Sequence, residues 1–144
     1  MKLFSDREQI VEVVHRLFVY TDNQQWEKLR DEVFTGQILF DMASAGGIKR
    51  TMPVQEVVEM WQKGFEDLDA VNHLSGNHLV DIHEDSADVF TYGTATHYKK
   101  AAVEGKTREF VGSYDLHLIR TENGWRIDVF KYNLKYVNGN LEMR

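Results

Sequence analysis

Cysteine is absent from the 144 residues, and proline occurs once, at Pro53. Without thiols there is no disulfide, no thiolate metal site and no cysteine nucleophile. The same absence suits a reducing compartment, and a cytoplasmic location is expected. No apolar run approaches the ~18 residues that a spanning helix needs, and residues 1–6 lack the basic-then-apolar plan of a secretory leader. Membrane association is therefore not expected. Basic charge is scarce as well: 17 Lys and Arg against 23 Asp and Glu give a net charge of −6. The densest cationic group, Lys99–Lys100 to Lys106–Arg108, reads as a solvated hairpin tip. A chain without a basic stripe is a poor partner for nucleic acid. Repeats, low-complexity segments and linkers are missing too, which predicts one domain over residues 1–144.

Aromatic residues are plentiful, at 12%, and beyond filling a core they can line an apolar cavity. The order of periodicities predicts an α+β fold. Ser5 and Glu8 form a capping box that opens a first helix. Ile10, Val14, Leu17, Phe18 and Thr21 then recur at helical spacing. A second helix is predicted over about 24–34, with Trp26, Leu29 and Val33 inward and Gly36 beyond its end. A short strand follows at 38–42, and then a mobile loop at 43–49. Pro53 suits the first turn of a third helix, whose stripe is Val54, Val57, Val58, Trp61, Phe65 and Leu68.

From residue 70 the period falls to two, predicting strands at about 72–83, 87–99, 108–120 and 125–136. The turns lie at Glu84-Asp85-Ser86 and Asn123-Gly124. About three helices ahead of such a meander predict a cone-shaped, curved, mostly antiparallel sheet that encloses a pocket.

Among the six histidines, His73, His78 and His83 are five apart. On one strand the middle side chain points away from the others, so they do not form a metal site, and no metal or other cofactor is expected. Residues 71–82 are more informative. Val80 and Ile82 mark a core face, while His73, Ser75 and Asn77 fall by alternation on the other. Gly76 invites a bulge that would re-aim them. Such a polar set on a concave wall needs partners or a ligand. Two plain roles remain open: Asp22 with Gln25 reads as a cap for the second helix, and His73 as a hydrogen-bonded core histidine.

The stretches Tyr20-Thr21-Asp22-Asn23-Gln24-Gln25-Trp26 and Val71 to Ile82 resemble the signature regions of SnoaL-like proteins in the nuclear-transport-factor-2-like superfamily. The resemblance runs from about residue 6 to 136. It is strongest to scytalone dehydratase and hexachlorocyclohexane dehydrochlorinase, enzymes that pair an aspartate with a histidine. It implies catalytic roles for Asp22, His73 and His97. It also implies a substrate pocket holding Ser113 and Asp115. Tyr20, Phe18 and Trp61 are further candidates for that pocket. Thr21 stands where the dehydratase has a tyrosine, and the second tyrosine has no counterpart near Asp41 or Met42, which argues against scytalone as substrate.

The function expected is a cofactor-independent lyase or isomerase acting on a hydrophobic, ring-containing molecule. A non-catalytic binder of an apolar or aromatic molecule is the alternative, as is an interaction subunit like the small subunit of ring-hydroxylating oxygenases. A homodimer or homotrimer is expected, using Phe130, Tyr132, Leu134 and Tyr136 of the last strand. The tail after Tyr136 is expected to be mobile or to cover the pocket mouth.

Overall fold

The computed structural model describes residues 3–144. Helix α1 (Asp6–Asp22) starts where the Ser5 hydroxyl accepts the Glu8 amide at 3.1 Å, and it buries Ile10, Val13, Val14, Leu17, Phe18 and Thr21. Helix α2 (Trp26–Glu32) is shorter than its sequence suggests, because strand β1 (Phe34–Asp41) begins before Gly36. The segment read as a mobile loop instead holds a 3-10 turn (Ala43–Ala45) and strand β2 (Lys49–Pro53), which pairs with β1. Its anchor is Ser44, whose hydroxyl donates to the Tyr132 carbonyl and accepts the Leu134 amide, both at 2.8 Å. One side chain thus continues the ladder where the main chain leaves it. Pro53 ends β2 and precedes α3 (Val54–Phe65), which buries Val54, Val57 and Val58.

Strands β3 (Ala70–His83), β4 (Ser86–Tyr98), β5 (Thr107–Thr121) and β6 (Gly124–Gly139) form the expected meander. The sheet runs β2-β1-β6-β5-β4-β3, antiparallel throughout except where β1 lies parallel to β6. Its inner face and the helices share one core that includes Leu17, Leu29, Ile38, Leu116, Trp125 and Ile127. Among the described residues, no helix is long and apolar enough to cross a membrane.

Bulges set which side chains face inward. On β3 the register passes from Gly76–Tyr92 to Leu79–Phe90, so Asn77 and His78 together oppose Thr91. Asn77 takes a positive φ of 60°, and buried Thr91 donates to the Gly76 carbonyl at 2.9 Å. This corrects the simple alternation: His73 and Val80 lie on the same inner face, pairing with Ala95 and Val89 respectively, while Asn77 is exposed. On β6, bulges near Asp128 and Lys135 leave Phe130 and Tyr132 buried and facing in, and only Tyr136 exposed. Those residues therefore do not form an outward apolar face. The tail does not cover the pocket either. Strand β6 runs on to Gly139, and the last residues pack on the β4–β5 connection, where the Val103 and Glu104 amides both donate to the Arg144 carbonyl at 3.0 Å.

Candidate active site

The sequence places Asp22 in the last turn of α1, where the exposed carbonyl end of the helix disfavours a carboxylate. Compensation comes from β3. It is the edge strand, so some of its main-chain donors point away from the sheet. The His73 amide donates to Asp22 Oδ2 at 2.8 Å, and His73 Nδ1 donates to Oδ1 at 2.6 Å. The pair is largely shielded, with side chains 12% and 13% exposed. The capping role for Asp22 is thereby ruled out: α2 is preceded by Gln25, with no side-chain cap. A carboxylate only accepts, so in the neutral ring the proton sits on Nδ1 and Nε2 carries the lone pair. Phe18 stacks on the imidazole, with centroids 5.4 Å apart and planes at 21°, and fixes its plane.

His97, on β4, carries the opposite tautomer. The Arg108 guanidinium donates Nε–H to His97 Nδ1 at 2.9 Å, so the ring proton lies on Nε2. The side chain is 7% exposed. Burial first, then Arg108 and His73, hold its pKa down at about 4, which keeps the ring neutral at ordinary pH. Phe65 and Phe110 flank it, each with a centroid separation of 5.4 Å. Arg108 was the least legible of these partners. In the sequence it belongs to a charged hairpin tip, yet in the fold it turns inward and also donates to the Leu141 carbonyl at 2.7 Å.

Both histidines line one cavity of about 280 Å3, together with Phe18, Trp61, Phe65, Phe110, Tyr114, Phe130 and Tyr132. Leu17, Thr21, Met42, Ala45 and Ala95 complete the wall. Of the residues expected there, His73, His97, Phe18 and Trp61 line it, and Asp22 adjoins it through its bond to His73. Tyr20 does not, because one helical step turns it from the Leu17–Phe18–Thr21 face toward Lys28, whose ammonium lies 5.8 Å from its ring. Ser113 and Asp115 are also elsewhere. On β5 the inward set is Gly112, Tyr114, Leu116 and Leu118, so the odd positions face out, where Asn133 donates to both side chains. The tyrosines that do line the cavity stand one place along the same alternation. Among the described residues, no group of three or more histidine or acidic side chains is placed to hold a metal ion.

Residues 3–131 match the family model described as a SnoaL-like domain. The fold is shared with the Kfla4162 protein of Kribbella flavida, at 27% identity and a TM-score of 0.90 over 96% of this chain and 95% of that one. A candidate scytalone dehydratase from Novosphingobium aromaticivorans gives 14% and 0.81, over 94% and 87% of the two chains. A type 3 hexachlorocyclohexane dehydrochlorinase from Novosphingobium barchaimii gives 12% and 0.75, over 93% and 89%. No match was found among curated protein sequences.

Proposed function

The chain belongs to the SnoaL-like family, with the nuclear-transport-factor-2-like fold, and from its pocket we propose that it is a cofactor-independent lyase or isomerase acting on a hydrophobic cyclic molecule. One observation carries the reading: an aspartate-bound histidine presents a basic Nε2 at an apolar cavity that a second, neutral histidine also lines. His73 is the general base. It takes a proton from carbon next to an activating group, and Asp22 stabilises the imidazolium that forms. His97 Nε2–H is a donor for the oxygen on which charge develops. In an elimination the electron pair left on carbon forms the double bond and expels the leaving group, which collects the proton from His73. In an isomerisation the proton returns to a different carbon. The apolar walls keep water from the reacting carbon and strengthen both interactions.

The proton-transfer step is open to test before the natural substrate is known. In deuterium oxide the protein is expected to catalyse exchange at the carbon beside the carbonyl of 2-tetralone, followed by NMR. His73→Ala should lower that rate by about 10²–10⁴-fold, the usual worth of a positioned base. Exchange at an undiminished rate in His73→Ala would refute the assignment. Binding of ring compounds by a wild-type protein that catalyses no exchange would favour the non-catalytic carrier instead.

A further inference from the structure

We propose that Arg108 is the positioning residue that keeps His97 a neutral Nε2–H donor, and that the segment Asn140–Arg144 is the clasp that holds Arg108 in place. The inference rests on the proton-transfer reading of the same cavity and adds the groups that set the state of its second histidine.

Arg108 is poorly explained as a surface charge. It is half-buried, and its guanidinium donates to His97 Nδ1 at 2.9 Å and to the Leu141 carbonyl at 2.7 Å, both neutral acceptors. Burial lowers its pKa, and neither acceptor carries a charge to offset that loss of water. An aliphatic side chain of the same reach would pack there without the penalty, but would leave Nδ1 of buried His97 without its donor. Register brings the two side chains together. His97 and Arg108 are Cα partners across β4 and β5, and the guanidinium carbon lies 5.6 Å from the centre of the Phe110 ring that flanks His97.

The clasp begins at Gly139, the register partner of Arg108 on β6. Its φ is +88°, and a Cβ there would lie 2.5 Å from the Thr107 carbonyl oxygen and 3.0 Å from Arg108 Cα. Glycine thus lets the chain leave β6 hard against β5. The departure is tied down at once. The Asn140 amide donates to the Thr107 carbonyl at 2.9 Å, and its side chain donates to the carbonyls of Gly105 at 2.9 Å and Arg144 at 2.8 Å. Met143 is buried beneath the same turn. These contacts fix the Leu141 carbonyl that takes one arm of the guanidinium, which leaves Nε–H aimed at His97.

Two histidines line one cavity, and a charged His97 would oppose the imidazolium that His73 has to become. Burial, then Arg108 and His73, work against a proton on His97. Arg108 does so twice, because its Nε–H occupies the ring lone pair and its charge repels the incoming proton. His97 is left with one N–H, at Nε2. A neutral imidazole can steady a developing oxyanion while His73 takes the charge.

Nitrogen-15 NMR of the histidine rings in the full chain tests this without turnover, with His97 assigned by the signals lost in His97→Phe. Wild-type His97 should keep Nδ1 bare and Nε2 protonated until the pH nears its low pKa of about 4. In Arg108→Met the ring should gain an Nδ1–H population and bind its proton at least about three-fold more tightly, a midpoint raised by about half a pH unit or more. The double variant Asn140→Ala/Met143→Asp alters no group that touches His97, and it should change the ring in the same direction. There the Val103 and Glu104 amides, which donate to the Arg144 carbonyl, should also lose protection from hydrogen exchange. Exchange of 2-tetralone should slow about ten-fold in kcat in Arg108→Met, with KM little changed. A wild-type ring pattern retained in Arg108→Met, or in the double variant, would overturn the proposal. An altered ring with undiminished ketone exchange would defeat the catalytic role of His97 alone. An unaltered ring in a protein whose exchange is lost in His73→Ala would defeat the positioning alone.

Discussion

Two of the aspartate–histidine pairs among the described residues are nearly equal in length. Asp22 meets His73 at 2.6 Å inside the cone, and Asp128 meets His117 at 2.7 Å on the outer face. The outer pair joins neighbouring strands eleven positions apart and is 28–32% exposed. The inner pair joins a helix end to an edge strand across 51 positions, and its aspartate also takes a main-chain amide. A larger hollow of about 470 Å3 lies beside the outer pair, bordered by Leu79, Phe90, Asp115, His117 and Lys131. Among the described residues, its lining comes only from strands β3 to β6 and from neither helix that walls the inner cavity. The smaller cavity is walled by α1, α3 and four strands, with apolar side chains facing the base. A dyad is common chemistry; seclusion is what distinguishes the inner one, to which the proposed function assigns the proton transfer.

The largest test of that contrast is functional. Asp22→Asn keeps the shape of the side chain but offers an amide to Nδ1, which turns His73 into the tautomer with its proton on Nε2 and removes the base. Ketone exchange should drop by about 10²–10⁴-fold, whereas Asp128→Asn should leave it unchanged. A comparable drop in both variants would mean that seclusion is not the distinction.

Stability should separate the pairs next. Asp22→Ala strands a shielded amide and imidazole N–H and should cost about 2–3 kcal/mol in denaturant unfolding. Asp128→Ala breaks a part-exposed pair and should cost less than about 1 kcal/mol. Equal losses would show the inner pair to be no better protected than the outer.

A further effect, spread over several pH units, is in the pH dependence of stability. His97 titrates near 4 in the fold, against its ordinary 6.5, because of burial and then Arg108 and His73. Between those values the unfolded chain binds the proton and the folded one does not. Folding free energy should therefore decline as pH falls from 6.5 to 4, by about 2–3 kcal/mol in all. His97→Phe should flatten most of that slope, leaving the share of His78, whose pKa burial also lowers. An unchanged slope in His97→Phe would show that the ring is not held neutral by its pocket.

Much of this was legible in the sequence because it is periodic. The four meander strands, the capping box at Ser5 and the turn at Asn123 follow from local rules, and each lies within a few residues of its expected place. The Asp22–His73 contact was reachable only through a family resemblance, since no local pattern joins positions 51 apart. What escaped were side chains whose direction depends on a bulge or on another element. Ser113 and Asp115 share a face, as alternation says, but which face is inner is decided by the core residues Tyr114 and Leu116. Arg108 looks solvated until His97 is placed beside it. Phe130 and Tyr132 read as an outward stripe because two bulges on β6 are invisible in composition.

The bulge at Asn77–His78 acts as a phase slip in an otherwise two-beat code. Upstream, odd-numbered His73 looks into the cavity; downstream, even-numbered Val80 packs against the core. The strand is thus two reading frames joined at one irregular step. A one-residue deletion at that step would restore plain alternation and keep both His73 and Val80 facing inward, whereas straightening the step at full length would turn one of them out. Substitutions that respect the step can vary the half that faces the cavity without rewriting the half that packs against the core.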